Sequence, residues 1–302
     1  MDHADFVPSP APSPFTIKKV IFATDFSKCS ANAGFYASMI ARQFGAELTV
    51  AHAFELTQAA MEVEAEGHGR LKSAQRTDSE AALVREVDRL GGDLKHVESV
   101  LLEGNPHEQI PQLALRNEPS LIVLGTRGRG RLDRAIIGSV AEKVLRSTGG
   151  PSLTVGPHVA QCCDEEAPIK RVLYATGLSP AAARGAAYAM GMAEAFHAGM
   201  DVLHVIHPGD VGEPGSLAAV QKRFEAEVER IAPGQAETVV KPHGVMSTGI
   251  AHATILEYIR ENAIDLLVLS LRRSSHLWLE TRISGAFHII VDAPCPVMTL
   301  IG

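Results

Sequence analysis

Short runs rich in Val, Ile and Leu recur along the chain, and each is followed by a longer stretch whose apolar residues return with helical spacing. In the first half the apolar runs fall at about residues 17–23, 47–53, 94–102, 121–125 and 152–156. Helical stretches lie between them at about 28–44, 70–90, 106–117 and 138–147. The second half repeats the apolar runs near 169–175, 200–206, 236–241, 265–270 and 297–301. Runs such as Val20-Ile21-Phe22 and Leu121-Ile122-Val123-Leu124 are apolar at every position, not at alternate ones. A strand of that kind buries both faces, and strands of this type alternating with helices predict a parallel sheet covered on each side. The connections are expected to be right-handed crossovers.

The two halves are copies of one unit. Ile17-Lys18-Lys19-Val20-Ile21-Phe22-Ala23-Thr24-Asp25-Phe26-Ser27 is matched by Ile169-Lys170-Arg171-Val172-Leu173-Tyr174-Ala175-Thr176-Gly177-Leu178-Ser179, at an offset of 152 residues. Further on, Gly104-Asn105-Pro106-His107 pairs with Gly249-Ile250-Ala251-His252, and Ser120–Gly125 with Asp265–Ser270. The offset has there fallen to 145, so the second copy is shorter in its middle. Both copies close on a short strand after proline, Ser152–Val155 and Val297–Leu300. The polar, acidic, proline-bounded stretch between them reads as a linker. The expected organisation is a first domain over 15–157, a linker over 158–168 and a second domain over 169–302.

Composition narrows the classes. A chain of 302 residues with 46% hydrophobic and 21% charged residues is long enough for two cores of ordinary size. A net charge of −7 and a pI near 6.0 argue against nucleic acid as a partner, because a polyanion is repelled outside any local basic patch. No window approaches the roughly 18 uncharged apolar residues that a membrane helix needs. The start, MDHADFVPSPAPSPF, lacks the basic and apolar regions of a signal peptide and is read as a flexible arm, which points to a cytoplasmic protein. Four cysteines do not make a disulfide framework, and the adjacent Cys162 and Cys163 are read as tolerated thiols in the linker.

The chemistry concentrates in the first copy. Gly125-Thr126-Arg127-Gly128, followed after nine further residues by Gly138-Ser139-Val140, gives the spacing Gly-x2-Gly-x9-Gly-Ser. It starts at the end of a buried strand and finishes at a helix start. Glycines let backbone approach a ligand closely, and the unpaired N–H groups of a helix N-terminus attract anions. Arg127, Arg129, Arg131 and Arg134 add positive charge, although loop arginines are more often solvated than ligating. The loop is neither a P-loop, which needs GxxxxGK[ST], nor a dinucleotide fingerprint, whose third glycine is replaced by Asp133. Asp25 after the first strand is either a helix cap or a ligand contact, and Ser27 can take the capping role instead.

Gly-x2-Gly-x9-Gly-Ser after the fourth strand, together with Ala23-Thr24-Asp25-Phe26-Ser27 after the first, resembles the ATP-binding type of the universal stress protein family, over nearly the whole chain as two tandem copies. The resemblance implies two doubly wound five-stranded parallel-sheet domains of the adenine nucleotide alpha hydrolase-like fold, each with strand order 3-2-1-4-5. It implies that Asp25 contacts the nucleoside, that Ala23, Thr24 and Ala53 line the adenine pocket, and that Gly125, Thr126, Arg127, Gly128, Gly138, Ser139 and Val140 hold the phosphates of ATP, with Mg²⁺ accompanying them. Ala23 departs from the proline often found at its position. The fifth strands are expected to pair antiparallel within the chain as a pseudo-dimer, with a homodimer of whole chains compatible with this.

The second copy has lost these features. Asp25 is matched by Gly177, and Gly125 and Gly128 by Ser270 and Arg273. Its loop runs one residue longer to Ser284, the counterpart of Gly138, so a family-type ATP site is not expected there. Arg272, Arg273, Ser284 and Gly285 retain some anion-binding character, and Trp278 is read as a packing residue. His52 and His204, like His107 and His252, recur at equivalent places, which suggests inherited roles in the fold instead of a metal cluster. Nothing resembles the machinery of an ATPase. The expected function is a nucleotide-binding regulator with slow hydrolysis or none, acting through protein partners. The competing readings are an adenine-nucleotide enzyme, such as an adenylating synthetase or ATPase, and a nucleotide-free scaffold.

Overall fold

A computed structural model describes residues 15–55, 70–116, 120–127, 137–148, 150–160, 169–179, 182–209, 216–232, 240–271 and 285–301. The first domain follows the order β1 (Lys19–Ala23), α1 (Lys28–Phe44), β2 (Glu47–Phe54), α2 (Arg70–Gly91), β3 (Val97–Glu103), α3 (Pro106–Arg116), β4 (Ser120–Gly125), α4 (Ser139–Ser147) and β5 (Ser152–Val155). The second repeats it with β6 (Arg171–Ala175), α5 (Ala182–Phe196), β7 (Gly199–Ile206), α6 (Ser216–Ile231), β8 (His243–Thr248), α7 (Ala251–Glu261), β9 (Leu266–Leu271), α8 (Gly285–Asp292) and β10 (Val297–Ile301).

The strands form one sheet of ten, in the order β3-β2-β1-β4-β5-β10-β9-β6-β7-β8. Each domain contributes five parallel strands in its own order 3-2-1-4-5, so the fold expected from the sequence is the one observed. Alternate residues of each strand feed opposite layers. Val20 and Phe22 of β1 join α1, α2, α5 and α6 in one core cluster, while Ile21 joins α3, α4, α7 and α8 in the other. All three are 0% exposed, which explains the uninterrupted apolar run.

The domains meet where β5 and β10 pair antiparallel, with Leu153 opposite Met298, Thr154 opposite Val297 and Ser152 opposite Thr299. Leu153 and Met298 are counterparts at the offset of 145, so a pseudo-two-fold axis passes through that pair. The hydrogen bonds obey it. Thr154 Oγ1 donates to Val297 O at 3.1 Å, and its counterpart Thr299 Oγ1 donates to Ser152 O at 3.3 Å. Pairing two edges in this way satisfies a row of backbone groups that each domain alone would leave open. Phe44 and its counterpart Phe196 also meet edge to face, with ring centroids 6.4 Å apart.

Phe15 departs from that symmetry. Its ring packs against Phe44 (5.4 Å) and Tyr188 (4.7 Å), between α1 and α5. It seats on Gly191, where a Cβ would overlap the ring.

One strand lies elsewhere than the pattern suggests. The third strand of the second domain was expected at about 236–241, on the β-branched run Thr238-Val239-Val240, but β8 occupies His243–Thr248. Residues 233–239 lie outside the described set, and Val240 and Lys241 are not in a strand. Pro242 has no N–H to give a ladder, and pairing starts after it. β8 pairs only with β7, at the sheet edge, so a half-exposed, weakly apolar sequence suffices there.

Candidate functional site

The strand order changes direction between β1 and β4, and ligands of open α/β sheets bind in the crevice outside the strand ends at such a point. A cavity of about 380 Å³ lies there. Ala23, Thr24 and Asp25 border it from the end of β1, and Ala53 from β2. Gly125, Thr126 and Arg127 come from the end of β4, and Gly138, Ser139 and Val140 from the start of α4. These residues, up to 117 positions apart in sequence (Ala23 to Val140), share one wall. Gly128, Arg129, Arg131 and Arg134 lie outside the described residues.

The turn after β1 is held by its own side chains. Thr24 Oγ1 accepts the Phe26 N–H at 3.0 Å and lies 3.1 Å from Ser30 Oγ. Asp25 Oδ1 accepts the Ser27 N–H at 3.0 Å. Ser27 caps α1, its hydroxyl accepting the Ser30 N–H at 3.2 Å, so the capping role falls to Ser27 and not to Asp25. These bonds hold Phe26 in the left-handed region at φ +60°, a conformation that costs a non-glycine residue roughly 1–2 kcal/mol. His52 Nδ1 is hydrogen-bonded to Thr24 O at 2.7 Å, and its ring packs 4.5 Å from Phe26.

Two glycines are required by close approach. A Cβ on Gly125 would stand 3.1 Å from the Cys29 carbonyl carbon and Sγ and from the Ser30 amide. A Cβ on Gly138 would stand 3.0 Å from Thr126 O, which accepts the Gly138 N–H at 2.7 Å. Gly138 also precedes α4 with no side-chain cap, so the first amides of that helix keep their anion-attracting character. Cys29 borders the same loop and donates from Sγ to Val155 O at 3.3 Å. Burial pushes its pKa up, which keeps it a thiol.

Ser30, Pro106, Ile110, Leu124 and Ala141 complete the wall and were not singled out from the sequence. Pro106 follows Gly104-Asn105 at a helix start, a signal that could have drawn attention to it. The others look like ordinary core positions. The second domain reproduces the turn: Leu178 N donates to Thr176 Oγ1 at 3.1 Å, Leu178 has φ +52°, and His204 Nδ1 is bonded to Thr176 O at 2.8 Å. The paired histidines thus brace the fold. Among the described residues no group of three or more His, Cys, Asp or Glu side chains could hold a metal ion. Nor is any described helix long and apolar enough to cross a membrane. Residues 272–284, which include Trp278 and the arginines of the second loop, lie outside the described residues, as do Cys162 and Cys163.

Fold and crevice define a class, the tandem doubly wound α/β protein with a ligand-sized cavity at the switch point of its first domain. The model of the universal stress protein family matches residues 16–156 and again 168–300, and the chain belongs to that family. A universal stress protein of Methanocaldococcus jannaschii is 30% identical over 139 residues, spanning 46% of this chain and 81% of its own. One from Thermus aquaticus is 32% identical over 141 residues, spanning 46% of this chain and 98% of its own. Across both domains, the crystal structure of a universal stress protein from Archaeoglobus fulgidus superposes with a TM-score of 0.70 at 20% identity, covering 95% of this chain and 99% of that one. A structure of a putative universal stress protein from Pseudomonas aeruginosa gives 0.63 at 14%, covering 94% and 93%. At these identities the likeness to the solved structures is one of fold.

Proposed function

We propose that this chain is a nucleotide-binding regulator of the stress response, working in the cytoplasm. It binds ATP in a first domain spanning 15–157, which a linker over 158–168 joins to a second domain over 169–302 that has lost the site. It acts through protein partners, with slow hydrolysis or none. The observation that carries this reading is convergence: residues chosen from four separate segments of sequence border one cavity, of a size that suits a small ligand.

The residues suit the parts of a nucleotide. Ala23, Thr24 and Ala53 offer a small, mostly apolar wall for a base. The Asp25 carboxylate, which accepts the Ser27 amide, is an acceptor that suits nucleoside hydroxyls. Gly125 and Gly138 keep side chains away from backbone that must approach phosphate. Ser139 and Val140 would present helix N-terminal amides, with Arg127 supplying charge and Gly128 continuing the loop. When bound, the nucleotide brings a polyanionic chain and with it a divalent ion such as Mg²⁺. Asp25, assigned to the nucleoside, is then not a base for phosphoryl transfer.

Calorimetry with ATP and Mg²⁺ on the wild type and on Gly138→Glu tests this. One equivalent is expected to bind the wild type and none the variant, whose side chain would crowd Thr126 O and repel phosphate. A folded wild type that takes up no ATP would overturn the proposal.

A further inference from the structure

Several histidines of the chain are engaged by the protein. His52 and His204 each bond a threonine carbonyl, the His207 ring accepts the Gly209 N–H at 3.1 Å, and His243 Nδ1 lies 3.5 Å from Asp201 Oδ1. His252 and His288 do not follow them. Both are half-buried, the one on the first turn of α7 and the other on α8. Among the described residues neither ring makes a hydrogen bond or an ion pair. They face each other instead, with ring centroids 5.7 Å apart and planes 31° from parallel. His252 lies over the start of α8, since a Cβ on Gly285 would stand 3.6 Å from its Cβ and 3.8 Å from its Nδ1. His288 is three residues further along α8, on the same face as Gly285.

The first domain supplies an internal control. His107 is the counterpart of His252 at the offset of 145. Counting from Gly138 and Ser284, the place of His288 is held by Glu142, whose carboxylate is ion-paired with Arg146 at 3.0 Å. One histidine is therefore common to both copies, and its imidazole neighbour exists only in the second. The fold forms without the pair, so the pair is not an inherited brace.

The geometry points to an open metal-binding site at His252 and His288, for an imidazole-seeking divalent ion such as Zn²⁺. Imidazole nitrogens bind Zn²⁺ at about 2.0–2.1 Å, so two rings on one tetrahedral ion have centroids roughly 5–6 Å apart. The observed 5.7 Å satisfies that spacing. Neutral imidazole suits Zn²⁺, Cu²⁺ and Ni²⁺, whereas Mg²⁺ prefers oxygen. Two protein ligands leave coordination positions for water or for the donor atoms of a small molecule, so the ion is exchangeable and not structural. It would tie the first turn of α7 to α8. Ala251 and Phe287, the chain neighbours of the pair, are counterparts of Pro106 and Ala141, which border the cavity of the first domain. The ion would thus sit beside the switch point between β6 and β9, and it needs no nucleotide in the first domain.

Titration with Zn²⁺ against a competing chelator, without nucleotide, tests this on the wild type, His252→Asn, His288→Asn and the double variant. His107→Asn is the control in the other copy. Each single variant is expected to bind the tightest Zn²⁺ equivalent about 10-fold more weakly or worse, and His107→Asn to stay within about 3-fold of the wild type. The double variant should be no more than about 3-fold weaker than either single one, because the loss of one ligand already dismantles the pair. His288→Cys returns a metal ligand to that place and is expected to recover binding that His288→Asn loses. A variant that had merely disturbed the packing of α8 would not be rescued in this way. A wild type that binds no more Zn²⁺ than the double variant would overturn the inference. So would losses that add in the double variant, a loss in His107→Asn as large as in His252→Asn, or no recovery in His288→Cys.

Discussion

The two domains share a skeleton and differ in what the skeleton presents. After β1 and after β6 the chain makes the same turn, with a threonine hydroxyl accepting the amide of a left-handed residue two positions on, and a histidine bonded to the threonine carbonyl. Between those fixed points Asp25 has become Gly177. Space does not account for the change, since a Cβ on Gly177 would meet nothing within 4 Å. At the end of the fourth strand the demand for a small residue has moved. Gly125 makes room for the first turn of α1, whereas Ser270 faces Gly185 of α5, where a Cβ would run into the Ser270 hydroxyl. Residues that satisfy the backbone have been held in both copies, whereas Asp25 and Gly125, which border the crevice, have been replaced in one. A duplicated domain can lose a site without losing its fold, because the two depend on different side chains.

The largest effect is expected at the axis that relates the copies. Leu153 and Met298 are both 0% exposed and face each other across it. Leu153→Asp and Met298→Asp would each bury an unpaired charge and are expected to cost about 4 kcal/mol or more. If the copies are equivalent at the axis, denaturant unfolding should give the two variants losses within about 1 kcal/mol of each other. One variant tolerated and the other not would break that equivalence.

A smaller effect separates the copies. Gly191 of α5 corresponds to Met39 of α1, and the ring of Phe15 lies where a side chain on residue 191 would begin. Gly191→Ala is therefore expected to destabilise the wild type by about 1–3 kcal/mol through overpacking. In a Phe15→Ala background the same change should stabilise by about 0.5–1 kcal/mol, as alanine normally does in a helix. That reversal of sign is a coupling only neighbours show. Stabilisation in both backgrounds would mean that Phe15 does not seat on Gly191.

These cases also show what the sequence could reveal. Strands buried on both faces were readable because Val20-Ile21-Phe22 and Leu121–Leu124 serve two cores at once and cannot alternate. The edge strand β8 was misplaced because it faces one neighbour and carries His243, Gly244, Ser247 and Thr248, which make a weaker strand signal than the β-branched run Thr238-Val239-Val240 before it. At the candidate site, the residues with unusual demands were legible: glycines at fixed spacing and an acid after a strand. Ile110, Leu124 and Ala141 were not, since an apolar cavity wall and an apolar core have the same composition. Phe15 was illegible for another reason. It stands at the edge of the repeat and packs against both copies, so neither local pattern nor self-similarity points to it.

The smallest effect concerns a place where both copies make one structure with different residues. α1 ends at Gly45, φ +60°, whose N–H donates to Arg42 O at 3.2 Å while that of Ala46 donates to Ala41 O at 2.9 Å. α5 ends in the same way at His197, φ +52°, with bonds from His197 to Glu194 O (3.2 Å) and from Ala198 to Ala193 O (2.8 Å). This double closure needs a left-handed residue, a role glycine fills without a Cβ penalty. His197 is exposed, so its side chain returns little through packing. His197→Gly is expected to stabilise the chain by about 1 kcal/mol and Gly45→His to destabilise it by a similar amount, both read from unfolding midpoints. Opposite signs of similar size would show that the two helix ends differ in residue and not in architecture. A loss in His197→Gly would show instead that the imidazole makes a contact that outweighs its backbone strain.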